Sequence, residues 1–478
     1  MPLPLPLRLL AVVVPFALLA PPLAAQMGHL SPSEKKTVID PVTGTPLEFL
    51  TSSPAGDSKI YQTHPDWTAD GQWVVFRSSR ARGQAFAVNE QTGDIVQLTD
   101  QGYLGMLCVA RLSMKLYFMR DLGHAAVDTV TAAPPPAGVG DNDEKTRVAF
   151  AAAARANRPH GPFQIIELDL GRLLADSTAH AVKDPASYER VCGTTPKGMQ
   201  ASGNMGLDAH EDYAYFGING ADLASRLPAG SPPSERFGPR GMGAGPSGLA
   251  SMNLQTGEVK IITVVPFQIG HVQTNPWVPG EIVFCWETGG KAPQRTWTVM
   301  ADGTGLRPLY PEANYEWITH EAVITKDEVA IAIIAHRKVG VPAADPWGPS
   351  GTAEHPSGLG IVNLRTREMR IIGQIPFGNP GRSVWHVNGS ADGRWAVADD
   401  FLYRVWLIDR HTGEMIMLAD MGHKTTAADH IHPTFSADGT KIEVQTAMIS
   451  PNSHTLNICV LPVPKTWLAR TYSQTAPQ

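Results

Sequence analysis

Sixteen of the 478 residues are histidine, and several fall where imidazole chemistry would need them. Asp429-His430-Ile431-His432-Pro433 sets two histidines two residues apart at the start of a β-rich run. Residues so spaced on a strand share a face, so His430 and His432 would point the same way. The frame "His, five residues, Asp-Gly, apolar strand" occurs at His432 to Gly439, His64 to Gly71 and His386 to Gly393. Aligned on such turns, seven strands begin at His64, Met106, Asn204, His271, His320, His386 and His432. A lone histidine is most often a hydrogen-bonded structural residue. Five in phase, with His430 beside them, read instead as a convergence. Neutral imidazole is a common ligand for first-row divalent ions. An ion held by several imidazoles with positions left open acts as a Lewis acid. Asp429 would add an oxygen ligand or orient one of the rings.

Such a convergence needs strands that meet around an axis. Two kinds of unit alternate along the chain. One is a turn followed by a β-rich run, as in Asp70-Gly71-Gln72-Trp73-Val74-Val75-Phe76. The other is a hairpin with a Thr-Gly-acid turn, at Thr92-Gly93-Asp94, Thr256-Gly257-Glu258 and Thr412-Gly413-Glu414, with a looser copy at Thr366-Arg367-Glu368. Glycine in such a turn supplies positive φ, and the flanking β-branched and aromatic residues suit strands. One unit of each kind makes a four-stranded blade. The repetition predicts an all-β, seven-bladed β-propeller with loop insertions, its innermost strands lining a channel. Glu48 to Thr51 precedes the first unit and would complete the last blade. Thr131 to His160, Leu223 to Gly248 and Val339 to Gly358 interrupt the period as Pro/Gly/Ala-rich insertions. The second carries Arg226, Arg236 and Arg240, which would suit an acidic ligand if that loop lay over the channel.

The first 25 residues stand apart. A single positive charge, an apolar run from Leu9 to Ala20 and Leu23-Ala24-Ala25 form the three-part layout of a cleaved secretory signal. The run is shorter than the ~20 residues that a membrane span requires, and no later stretch is long and apolar enough. The expected product is residues 26–478, a single domain, secreted or periplasmic. A net charge of −6 with both signs mixed argues against nucleic acid as a partner. Four cysteines are too few for a disulfide framework in a chain this long.

The motifs resemble those of the oligogalacturonate lyases, seven-bladed propellers that degrade pectin fragments. Ile269-Gly270-His271, followed by Ile282-Val283-Phe284-Cys285-Trp286-Glu287, is similar to that family's Gly-His strand and its Phe-Cys-His-Glu segment. Arg295-Thr296-Trp297 through Asp302-Gly303-Thr304 is similar to its next hairpin, and Thr319-His320-Glu321 to a Thr-His-Glu motif. His430-Ile431-His432-Pro433 with Phe435 and Ser436 resembles a His-Pro-His-Pro-Ser-Phe motif. The resemblance implies β-elimination on a uronate-containing, oligogalacturonate-like substrate with Mn2+. His320, His430 and His432 would be its ligands and His271 the group moving the proton. A family Gln ligand is replaced here by Ala427, and a family basic residue has no counterpart in Gly248 to Leu254. Arg295, Arg382 and Tyr61 are the residues weighed for protonating the leaving oxygen, Arg295 being taken as catalytic. Tyr61, His64, Trp286 and His386 are expected to face the substrate, an acidic oligosaccharide. Trp67, Trp347 and Trp385 also suit stacking on sugar rings. The alternatives are the same chemistry on a rhamnose-uronate or algal glycan, and a non-catalytic periplasmic binding scaffold.

Overall fold

The computed structural model describes residues 26–81, 83–122, 161–236, 242–288, 292–313, 316–336, 357–375, 383–422, 430–452 and 455–472. Among them the strands form seven antiparallel sheets of four or five strands each. Their innermost strands, in chain order, are Asp57–Lys59, Leu104–Val109, Gln200–Leu207, Ile269–Thr274, Glu316–Thr325, Val384–Gly389 and Thr434–Phe435. These define blades 1 to 7 of the expected propeller. Apolar side chains alternate onto both faces of the middle strands, so Val74, Phe76, Phe216, Phe284, Ile331 and Val397 are fully buried between adjacent blades. Burial of this kind between stacked sheets is the main favourable term for the ring.

The hairpin turns repeat one geometry. Gly93, Gly257 and Gly413 take φ of 82°, 74° and 74°. Each returns its N–H to the carbonyl of the residue that opens the turn, Asn89, Asn253 or Asp409, at 2.8 Å. In the looser copy Arg367 occupies the same site at φ 68°. The Asp-Gly turns are equally alike: Thr68, Ser390 and Ser436 donate their hydroxyls to Asp70, Asp392 and Asp438 at 2.6–2.7 Å.

The ring closes as the sequence suggested. Lys36–Ile39 and Pro46–Phe49 add to the C-terminal strands of blade 7, with Glu48 and Phe49 paired to Val460 and Cys459. Leu30–Ser31 crosses to the outer edge of blade 1, against Ile95 and Val96. Cys108, Cys192, Cys285 and Cys459 are all buried free thiols. No helix of the described residues is long and apolar enough to cross a membrane. The signal-like segment, the whole of the first insertion, most of the third, Arg240, Trp347, Arg382, Ala427 and Asp429 lie outside the described residues. Arg226 and Arg236 are exposed, and Arg226 borders a groove with Lys197 and Lys260 along blade 3.

Candidate metal and proton-transfer site

The channel residues are aimed by breaks in the innermost strands. In blades 2 to 6 the pairing slips between Leu104 and Cys108, Ala201 and Met205, Gly270 and Gln273, Ile318 and His320, and Val384 and Val387. Each slip falls at or beside the aligned position, and a bulge of this kind frees a side chain from the ladder and turns it. At His271 and His432 the backbone reaches positive φ, 46° and 52°. That region is strained for a residue with a Cβ and persists where surrounding contacts enforce it. Gly270 must lack a side chain, since a Cβ there would meet the Glu287 Cβ at 2.8 Å.

Three imidazoles converge. The ligand nitrogens of His386, His430 and His432 all lie within 4.8 Å of one another. Asp399, on the second strand of blade 6, organises two of them. Its carboxylate accepts the His386 backbone N–H at 2.6 Å, the His386 Nδ1–H at 2.7 Å and the His432 backbone N–H at 3.3 Å. With Nδ1 spent in this way, His386 Nε2 is a buried lone pair with no hydrogen-bond partner among the described residues. A carboxylate-anchored imidazole with its second nitrogen bare is the arrangement of a metal-ligating histidine, so the residues present fit a divalent ion. Gln445 holds the other pair, donating to the His430 carbonyl at 2.6 Å with its amide nitrogen 3.2 Å from His432 Nδ1. Burial, reinforced by the neighbouring His386, holds both His320 and His432 well below the usual histidine range. Both therefore stay neutral, as ligands must.

Beside this trio stands a hydrogen-bonded cluster around His271. His271 Nδ1 lies 2.7 Å from Glu321 Oε1, and the carboxylate accepts its proton, so Nε2 carries the lone pair. Glu321 comes from blade 5 and His271 from blade 4, so the pair spans a blade junction. Arg295 donates Nε–H to the other Glu321 oxygen at 3.2 Å. Burial works against the Arg295 charge, but the Glu321 and Glu287 carboxylates favour it and its pKa is pushed up. Facing Nε2 are Glu287 Oε2 at 3.3 Å and the Tyr61 hydroxyl at 3.4 Å. Burial, with the Glu321 charge behind it, pushes the Tyr61 phenol well above its ordinary value. His271, Cys285 and Glu321 also group within 4.8 Å, but burial drives the Cys285 thiol up, which denies it the thiolate a metal would need.

His271, His320, His386, His430 and His432 do converge, with ring centroids 5.7 Å apart for His271 and His320 and 4.3 Å for His320 and His386. His386, expected to meet substrate, belongs instead to the three-imidazole group. His320, expected within that group, stands beside it and donates Nδ1–H to the Trp385 carbonyl at 2.6 Å. His64 is a correction. Blade 1 is interrupted between Lys59 and the Trp67 to Val74 bridge, and His64 lies buried in that interruption, turned to the innermost strand of blade 3 rather than to the other imidazoles. Its Nε2 donates to the Met205 carbonyl at 2.7 Å and its Nδ1 accepts from the Thr63 hydroxyl at 2.8 Å, so both nitrogens are spent. The same interruption brings Tyr61 in, its ring centroid 5.0 Å from both His271 and His432. Arg295 is buried against Glu321, with its Nη2 also 3.2 Å from His271 Nδ1. Trp286 stacks on Phe267 at 4.7 Å and donates to the Gly243 carbonyl. Trp385 packs on Phe401 and on the rings of His386 and His430.

Sequence reasoning missed Asp399, Glu321 as a partner of His271, and Arg77. Arg77 lies on the second strand of blade 1 and donates to the Met106 sulfur at 3.6 Å, while its buried Nε has no partner among the described residues. Its positive charge is felt at His432 and Tyr103. A cavity of about 630 Å³ opens beyond, lined by Gln62, His64, Trp277 and Asn388, and includes none of the converging rings.

No protein-family model matches the chain, and no curated protein matches it by sequence. Among solved structures it is similar to an oligogalacturonate lyase in complex with manganese, at 16% identity over 92% of this chain and 99% of the other, TM-score 0.63. It is also similar to the oligogalacturonate lyase from Vibrio parahaemolyticus, at 15% identity over 92% of this chain and the whole of the other, TM-score 0.62. At this identity the likeness is one of fold across the whole ring.

Proposed function

We propose that this protein is a polysaccharide or oligosaccharide lyase that cleaves uronate-containing chains by metal-assisted β-elimination. The observation that carries the reading is the His386, His430 and His432 group, in which Asp399 anchors His386 through Nδ1 and Nε2 has no partner among the described residues, next to the Glu321–His271 pair. Those three histidines would hold a divalent ion, with His320 adjacent as a fourth nitrogen. Manganese is favoured by the manganese-bound structure that the fold resembles. A divalent ion in such a site neutralises a carboxylate and makes the adjacent C–H more acidic.

The chain's own residues supply the rest. His271 Nε2 is the base that takes the C5 proton of a uronate. Glu321 fixes the ring's tautomer and stabilises the imidazolium that forms, and Arg295 holds Glu321 in place from behind. Glu287, 3.3 Å from Nε2, favours the same charged state. Arg77 offers a guanidinium without a carboxylate partner among the described residues, suited to a uronate carboxylate of the bound chain. The 25 residues at the start would act as an export signal, placing the reaction in the periplasm or outside the cell. Incubating the purified protein with a panel of uronides and Mn2+, and recording the absorbance of the unsaturated product, tests the reading. Product with wild type and none with His271→Ala supports it. A protein that purifies without stoichiometric metal and yields no unsaturated product returns the propeller to a binding scaffold.

A further inference from the structure

Resting on the lyase reading, we infer that Tyr61 and His271 act as an acid–base pair from one side of the sugar, which selects uronates whose O4 and H5 lie on the same face. The Tyr61 hydroxyl is 3.4 Å from His271 Nε2, so proton donor and proton acceptor open onto one point. The Tyr61 ring lies 5.0 Å from His271 on one side and 5.0 Å from His432 on the other, between the base and the three-imidazole group. Glu287 also approaches Nε2, but it lies 3.9 Å from Arg295 as an ion-pair partner and so serves the imidazolium rather than a leaving group. Arg295 itself is 2% exposed and bound to Glu321, which leaves it unable to reach a glycosidic oxygen. Among the described residues Tyr61 is thus the hydroxyl placed to donate.

The step balances without a further reactant. The C5–H bond breaks and its proton goes to His271 Nε2. The electron pair forms the C4=C5 double bond, and the C4–O4 bond breaks. O4 takes the Tyr61 proton and departs as an alcohol. The Tyr61 phenolate then recovers a proton from the His271 imidazolium 3.4 Å away, which resets both groups. Carbohydrate geometry decides the substrate. In the usual chair of a glucuronate or mannuronate residue, O4 is equatorial and shares a face with H5. In galacturonate O4 is axial, on the face opposite H5, and elimination needs acid and base on opposite sides. The one-sided pair therefore fits gluco- or manno-configured uronides.

The experiment compares oligosaccharides ending in glucuronate or mannuronate with oligogalacturonate, using wild type and Tyr61→Phe loaded with Mn2+. The expected result is unsaturated product from the first group, and a drop in kcat of about 10²- to 10³-fold in Tyr61→Phe, with metal content and melting temperature unchanged. A uronide bearing 4-nitrophenol at O4, which leaves without needing a proton, should restore most of the Tyr61→Phe rate. A role in packing alone would show no such rescue. Cleavage of oligogalacturonate in preference to the others overturns the inference and leaves the lyase reading standing. So does full activity of Tyr61→Phe. Absence of unsaturated product from every uronide sinks the lyase reading and this inference with it.

Discussion

The Asp399 carboxylate grips His386 twice, taking the backbone N–H at 2.6 Å and the ring Nδ1–H at 2.7 Å. The double contact sets both the position of the residue and the direction of its ring. Asp399 is fully buried, so the contact is not diluted by water. Anchoring of this kind is typically worth 10- to 100-fold in metal affinity. Asp399→Asn should therefore weaken Mn2+ binding by about that factor while the propeller still folds, as a competitive chelator titration beside a circular dichroism melt would show.

His386 and His64 occupy equivalent places in the sequence repeat but have opposite surroundings. His386→Ala should purify with metal content well below one ion per chain. His64→Ala should keep its metal, because its two nitrogens already serve Met205 and Thr63. Elemental analysis of the two variants separates the roles, and equal metal loss in both would refute the site as drawn.

Acid should loosen the ring through His64. Burial pushes this histidine down to about 4, against an unfolded value near 6.5. A group whose folded pKa lies below its unfolded one contributes fully above the unfolded value and loses that contribution as the pH falls toward the folded one. Between pH 6.5 and about 4 the loss is about 3 kcal/mol. Urea unfolding should show a falling midpoint across that window in wild type and a shallower fall in His64→Gln.

Arg77 should matter for binding more than for chemistry. Removing a charged hydrogen-bond donor to a carboxylate costs about 1.5–3 kcal/mol. Arg77→Met should accordingly raise KM for an acidic oligosaccharide by about 10- to 100-fold with a smaller change in kcat. An unaltered KM would remove it from the binding surface.

Arg367 sits at φ 68° where the sister hairpins place glycine. The left-handed region costs a non-glycine residue about 1 kcal/mol, part of which glycine returns through its greater freedom when unfolded. Arg367→Gly should raise stability by a few tenths to about 1 kcal/mol in chemical denaturation, with activity untouched.

The ring and its closure were legible because the Asp-Gly and Thr-Gly-acid turns recur with the strands they join. The histidines were legible for the same reason: one position per repeat, brought to one axis. What the pattern could not carry was the partner of each ring. Glu321 serves His271 across a blade junction while its neighbour His320 bonds the Trp385 carbonyl in the next blade, and adjacency in sequence conceals both pairings. Asp399 and Arg77 lie on second strands, outside the aligned positions, so alignment could not reveal them. His64 matched the frame and left the cluster where the five residues between Lys59 and Pro65 form a loop.

The junction of Pro46–Phe49 with the strand Asn457–Pro462 joins segments from opposite ends of the molecule, and the His430–His432 pair belongs to the blade they share. A nascent chain still attached to the ribosome short of Asn457 has no last blade for those histidines to settle into. The three imidazoles can therefore meet only once that last strand has been made.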